Sequence, residues 1–276
     1  ACQCIIRPAQ HPCIIGGTVT TVPFKFLPFS GKACLGDTGD CPLCIFGKYC
    51  RPGRNYPRMG RMARIVVPGW PHHVAQRGNR RQTVFFRERD RSVYLEMLAG
   101  YKSLYHLTLP GYCLMTNHAH EALIPEYGDS LAKGVGRTHN DFSRWQNIQC
   151  HQTGHLWQER FYSCPVDFDS FAEVLAYIEL NPVRAGLVKR PEDYRWSSAR
   201  AHVSGVDETG LLDMTWWREH FTPESWARFL QDKLGDDLLL RRVRRATTTG
   251  KPIATESSVE ELERRFKRSL KPRGRW

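Results

Sequence analysis

The chain has 276 residues, 41% of them hydrophobic and 25% charged, a balance that suits a folded soluble protein with a real core. No run of about 18 apolar residues occurs, which excludes a membrane-spanning helix, and the Cys- and Pro-studded start has no secretory apolar stretch. Forty Lys and Arg against 28 acids leave a net charge of +12, which favours a polyanionic partner, nucleic acid before an anionic membrane surface.

The composition breaks near Met62. Residues 1–61 hold seven of the ten cysteines, with eight basic and two acidic side chains. The three cysteines that follow fit a reducing cytoplasm. Residues 51–62 are Pro, Gly and Arg without periodicity and read as a linker. Two readings compete for the front. Cys34, Cys41, Cys44 and Cys50, with one Cys-x-x-Cys pair, would supply four thiolates to a structural zinc. Alternatively, the segment comes from an over-extended reading frame. The first methionine at Met59 and the abrupt change of style favour that second reading. The expected division is a Cys-rich extension over 1–61 outside the native folded unit, a catalytic domain over 62–200, and a helical region with a basic tail over 201–276.

From Met62 the pattern becomes regular. Ile65-Val-Val67 and His72 to Arg77 read as extended, with a turn at Gly78-Asn79. Arg87 to His106 is predicted helical, with Val93, Met97, Leu98, Tyr101, Leu104 and Tyr105 as its apolar face. Pro110-Gly111 is expected to bend the chain before a strand over Tyr112–Met115. A strand over His118–Ile124, a helix over Ser130–Gln149, a strand over Phe161–Val166 and a helix over Asp169–Leu180 follow. The order strand, helix, strand, strand, helix, strand predicts an α+β fold, a ferredoxin-like split βαβ sandwich with added C-terminal helices. That order hosts many functions and decides none.

Two constellations carry chemistry. His118 and His120 stand two apart on a strand, so both imidazoles share a face and could reach one metal ion. The plainer alternative is a pair of polar residues on a solvent face. On the last of these helices, Phe171, Val174, Leu175 and Ile178 form the buried stripe, Tyr177 lies at its margin, and Asn181 follows one turn later. Pro182 disfavours helical geometry at Asn181, freeing its amide to turn inward. A structural tyrosine with a C-terminal cap is the plainer alternative here. A phenol is a poor nucleophile at neutral pH. Beside a cation that polarises a phosphodiester, it could attack phosphorus and keep the bond as a phosphotyrosine.

His118-Ala-His120 resembles the histidine–hydrophobe–histidine (HUH) motif, and residues 177–188 resemble the tyrosine helix of the REP-associated tyrosine transposases, relatives of the single-tyrosine IS200-like transposases. Residues 68–82, 112–120, 154–163 and 194–198 are similar to further blocks of that family, in the same order, and residues 1–61 have no counterpart. The resemblance implies an HUH nuclease-type catalytic domain and a bacterial, cytoplasmic enzyme that meets its substrate at the nucleoid. It implies a Mg2+ or Mn2+ ion and single-stranded DNA hairpins of the repetitive extragenic palindrome kind as partner. Tyr177 takes the place of the nucleophile, His118 and His120 bind metal, and Asn181 stands at the third ligand. Glu121 replaces a usual aliphatic residue; it faces away from the histidines, and if buried it needs a partner such as an Arg.

The expected DNA contacts are softer. Arg77, Asn79, Arg80 and Arg81 sit on the turn after the first strand, where they suit phosphate and base edges or form a merely solvated basic turn. Trp157, Arg160 and Tyr162 would stack on or clamp a nucleotide, although Trp157 is the better core residue. Arg137, His139, Asn140 and Arg144 share a helix, whose default reading is a mostly solvated face and whose alternative is a face turned to DNA. Near the C-terminus, Ser257-Ser-Val-Glu260 has a capping-box pattern and Val259, Leu262, Phe266 and Leu270 form a stripe. Arg264, Arg265, Lys267 and Arg268 beside it read as a phosphate-tracking arm, with a disordered basic tail as the plainer alternative. The runner-up function is a non-catalytic hairpin-binding protein that retains the fold; a third is a zinc module at the front that acts in partner or DNA binding.

Overall fold

A computed structural model describes residues 63–270; the front cysteines and the over-extended-frame reading lie outside the described residues. Strand β1 (His72–Arg77), helix α1 (Glu88–Leu104), strands β2 (Leu107–Met115) and β3 (His118–Pro125), helix α2 (Ser130–Gln149) and strand β4 (Tyr162–Pro165) follow in turn. The strands make one antiparallel sheet in the order β2-β3-β1-β4. β3 is thus inserted between β1 and β2, the two strands that α1 connects, which is the split βαβ order expected.

The period-2 alternation of the strands divides two cores. On one face Val74, Leu114, Ala119 and Leu123 meet Tyr94 and Leu98 of α1 and Leu131, Val135 and Phe142 of α2. On the other, Cys113, Met115, Ala122 and Cys164 meet helix α3 (Phe168–Glu179) through Phe171, Val174, Leu175 and Ile178. Each of those four α3 side chains is fully buried, contributing roughly 1.5–3 kcal/mol. That stripe fixes the rotation of α3 and therefore the direction of Tyr177.

Three local expectations need correction. Tyr94 and Leu98 form the buried face of α1, whereas Leu104 is 62% exposed. Pro110-Gly111 does not end an element but lies inside β2, at a register shift between Thr108 and Gly111. A bulge accommodates the missing proline donor. It also brings α3 close: a Cβ at Gly111 would lie 2.3 Å from Leu175 Cδ1 and 3.0 Å from Ser198 Oγ. Finally, the last helix starts earlier than the Ser257 pattern suggests, with Thr255 as its N-cap accepting from the Ser258 amide.

The remaining helices are α4 (Asn181–Arg184), α5 (Ala199–Ser204), α6 (Thr215–His220), α7 (Pro223–Lys233), α8 (Asp237–Thr249) and α9 (Glu256–Phe266). Buried Glu179 at the end of α3 ties α5 and α7 down. It accepts hydrogen bonds from Ser198 Oγ at 2.5 Å, His202 Nδ1 at 2.5 Å and Trp226 Nε1 at 2.9 Å. Asp167 works at the other end, capping α3 through the Ser170 amide and accepting the Thr255 amide at 2.6 Å. Ile253 is hydrogen-bonded to Pro165 and Asp167 beyond β4, so α8 is held against the sheet edge. The stripe of α9 packs on Ile65 and Val67.

Candidate active site

His73, Arg77, His118 and His120 emerge on the α3 side of the sheet, because Ala75 pairs with His120 and Arg77 with His118 across β1 and β3. They line a cleft of about 730 Å³ with Tyr177, Asn181 and Arg184 from α3 and α4, and with Arg244 and Thr247 from α8. The predicted His, Tyr and Asn residues are therefore brought together. The ring centroids of His118 and His120 are 4.9 Å apart, and the Tyr177 ring stands perpendicular to His120 at 5.8 Å.

Each candidate ligand has its orientation set by a neighbour. The His118 Nδ1 lies 2.6 Å from Asn117 Oδ1. Asn117 donates from Nδ2 to Arg81 O at 3.0 Å, so its oxygen is the acceptor and the His118 Nδ1 carries the proton. That leaves Nε2 of His118 as the lone-pair nitrogen. Burial, and then the Arg77 charge, bring the His118 imidazole down to about 4; burial also holds His120 well below its ordinary value, with His118, His73 and arginines adding to the effect. Both rings are therefore neutral at physiological pH, the form that binds metal.

Asn181 opens the short helix α4, and its Nδ2 donates to the carbonyls of Tyr177 at 3.0 Å and Ile178 at 3.1 Å. The amide nitrogen does cap α3, as the plainer reading had it, and this turns Oδ1 into the available end of the amide. Tyr177 is only 4% exposed. Burial raises its phenol above the ordinary value, while a hydrogen bond from Arg244 and the charges of Arg244, Arg184 and Arg77 oppose that rise. The Arg184 guanidinium lies 5.3 Å from the ring centroid and donates to the Tyr177 carbonyl at 3.0 Å. Among the described residues no acid lines the cleft, so its fixed charge comes from Arg77, Arg81, Arg184 and Arg244.

Sequence reasoning overlooked His73, Arg184, Arg244 and Thr247. Arg184 had a signal, since it follows Tyr177 by two helical turns. His73 lay inside a block that resembles the family. Nothing in Arg241-Arg-Val-Arg-Arg245 announces that this stretch closes a site formed by residues far earlier in the chain.

The expected DNA contacts separate into groups. Arg77 and Arg81 line the cleft, and Asn79 and Arg80 sit on the adjoining turn. Arg144, Asn140 and Arg160 line a second, roughly 510 Å³ cleft with Arg64 and His155. Arg137 is exposed but does not line it. His139 does not face solvent; it is 6% exposed, with Nε2 at 2.9 Å from the Tyr94 hydroxyl. Trp157 is a core residue donating to the His139 carbonyl. Arg264 and Arg265 are exposed on α9, whereas Arg268 donates to Ala63 O at 3.0 Å and so helps hold α9 in place. Glu121 is buried on the opposite face and finds a tyrosine, not an arginine: the Tyr94 hydroxyl donates to its Oε1.

Comparison with known proteins bears on the same segment. Residues 67–181 match the family model described as "Transposase IS200 like". A Haemophilus influenzae protein named "Putative REP-associated tyrosine transposase" is 26% identical over 139 residues, covering 44% of this chain and 79% of that relative. A solved structure titled as a REP-associated tyrosine transposase bound to a REP hairpin aligns with a TM-score of 0.44 at 18% identity. That alignment spans 56% of this chain and 90% of the other. The segment that matches the IS200-like transposase model holds both histidines, Tyr177 and Asn181, and over much the same stretch the chain is similar to a protein named as a REP-associated tyrosine transposase.

Proposed function

We propose that this protein is a metal-dependent transposase that cleaves and rejoins single-stranded DNA at hairpins of the REP kind, through a 5'-phosphotyrosine link at Tyr177. The observation that carries the reading is the meeting of Tyr177 with the two histidines in an arginine-lined cleft. Two neutral imidazoles and the Asn181 oxygen would hold a divalent cation such as Mg2+ or Mn2+, with DNA phosphate and water oxygens supplying the further hard donors that such an ion prefers. When bound, the cation would polarise the scissile phosphate and stabilise its developing charge.

The protein's own groups supply the rest. Arg77 and Arg81 draw the phosphate backbone into the cleft. Arg244 and Arg184 stabilise negative charge on the Tyr177 oxygen as its proton leaves. That oxygen forms a bond to phosphorus while the bond to the 3' oxygen breaks, and the departing oxygen takes up a proton as a free 3'-hydroxyl. The exchange is reversible because the phosphodiester energy is conserved in the tyrosyl ester. Rejoining is the same step run backward with another 3'-hydroxyl.

The non-catalytic alternative draws on Glu121, but that carboxylate lies beneath the sheet with Tyr94 and does not line the cleft. The test uses a labelled single-stranded oligonucleotide carrying a hairpin from the protein's own flanking DNA, incubated with magnesium or manganese. A denaturing gel should show a protein–DNA band that disappears with chelator, with Tyr177→Phe and with His118→Ala. Binding without a band across several hairpins would favour the non-catalytic protein.

A further inference from the structure

Helix α8 lies outside the family-matched segment, yet it reaches the histidines through a directed chain of hydrogen bonds. The Thr247 hydroxyl donates to the Val243 carbonyl one turn earlier, at 2.8 Å. Its single proton is thereby committed, so the Thr247 oxygen, 2.7 Å from His73 Nδ1, acts as an acceptor. His73 must then carry its proton on Nδ1 and present a lone pair at Nε2. The His120 Nδ1 sits 2.9 Å from that lone pair and must donate. His120 is left with its own lone pair at Nε2.

We propose that Thr247 and His73 are positioning residues that fix the tautomer and ring orientation of His120, so that α8 completes the centre begun by β3. His73 is 1% exposed, stacked on His120 at 5.1 Å and edge-on to Tyr177 at 5.5 Å. With so little exposed surface, it acts through its neighbour. Its companion His72 does a different job: it accepts the Val67 amide at 3.2 Å and lies 2.9 Å from the Trp70 carbonyl, pinning the turn before β1. Asn117 gives His118 the same tautomer from the other side. Both candidate ligands therefore present Nε2, one oriented by a neighbouring loop and the other by α8. The opposite arrangement would put a proton on the His120 nitrogen that a cation needs.

The tautomer half of this inference stands on hydrogen bonds alone; its consequence for metal rests on the function proposed above. The test uses the full chain with 15N-labelled histidine, metal-free and at neutral pH, in long-range 1H–15N spectra. His73 and His120 should both be neutral and protonated on Nδ1. In Thr247→Val, His73 loses its acceptor and His120 should show a substantial Nε2-protonated fraction; Thr247→Ser should restore the wild-type pattern. Manganese titration, read as paramagnetic broadening of the same signals, should need about tenfold more ion in Thr247→Val, the size of change that loss of such an outer contact produces. Nε2 protonation of His120 in the wild type, or unchanged tautomers in a folded Thr247→Val, would overturn the proposal. The expected tautomers with no manganese response in any variant would support the hydrogen-bond chain and defeat the metal reading alone.

Discussion

The hydroxyl of Tyr94 and the carboxylate of Glu121 share a buried hydrogen bond beneath the sheet, on the face opposite His118 and His120. His139 closes the group at 2.9 Å from the same hydroxyl, and Oε2 of Glu121 has no partner. Burial lifts the Glu121 carboxyl to about 7, against the smaller opposing pull of the tyrosine. The native state thus holds this proton more tightly than the unfolded chain. The stability tied to Glu121 is full at low pH and falls as pH rises from the ordinary carboxylate range through about 7, by roughly 3–4 kcal/mol at most.

Burial has the reverse effect on His72 and His139, which it lowers to about 4 and about 3. Their contribution is complete above the ordinary histidine range and is lost as pH falls toward those values. Glu121→Gln removes the first dependence and leaves the second. In urea melts, the variant should therefore gain stability relative to wild type on going from about pH 5 to about pH 8. Parallel curves for the two proteins would show that Glu121 is already ionised in the native state.

Gly111→Ala forces a methyl group against Leu175 and Ser198, where α3 meets the bulge in β2. Repacking there should cost about 1–3 kcal/mol and lower the thermal midpoint by several degrees. Because α3 carries Tyr177, the variant should also lose cleavage out of proportion to its folded fraction. Unchanged melting would mean that Leu175 moves aside freely.

The periodic parts of the chain were legible in advance. Alternation in β3 placed His118 and His120 on one face, and the α3 stripe put Tyr177 beside them, because both follow from local backbone geometry. The bounds of α2 agree with those expected from its pattern. Pro110-Gly111 misled because the same dipeptide serves a turn or a bulge, and only the approach of α3 distinguishes them. The arginine and threonine of α8 were invisible for a related reason. Their place in the site depends on Asp167 and Ile253 holding α8 to the sheet, contacts between distant parts of the chain.

Glu179 shows how such distant contacts are secured. Removing its carboxylate in Glu179→Ala leaves Ser198, His202 and Trp226 without their shared acceptor. The expected cost is about 3–5 kcal/mol in chemical denaturation, with Glu179→Gln less severe because one acceptor oxygen remains. Equal losses for the two variants would show that the network depends on charge alone.

The cleft combines neutral candidate ligands with four arginines and, among the described residues, no acid. A divalent cation alone should bind weakly there, since the guanidinium charges oppose it. A DNA phosphate reverses the balance by supplying negative charge. Manganese affinity, measured with Tyr177→Phe to prevent cleavage, should rise at least about fivefold when single-stranded DNA is present, and DNA affinity should rise by the same factor with manganese. Equal manganese affinity with and without DNA would argue against a shared site.

The most direct measurement is to locate the covalent bond itself. The full chain would be incubated with its hairpin oligonucleotide and manganese, digested with nuclease and protease, and analysed by mass spectrometry for a peptide carrying a nucleotide 5'-phosphate. That mass should fall on the peptide containing Tyr177, with fragments placing it on the phenol, and should be absent with chelator. An adduct on another residue, or cleaved DNA with no adduct on any peptide, would contradict the proposed function.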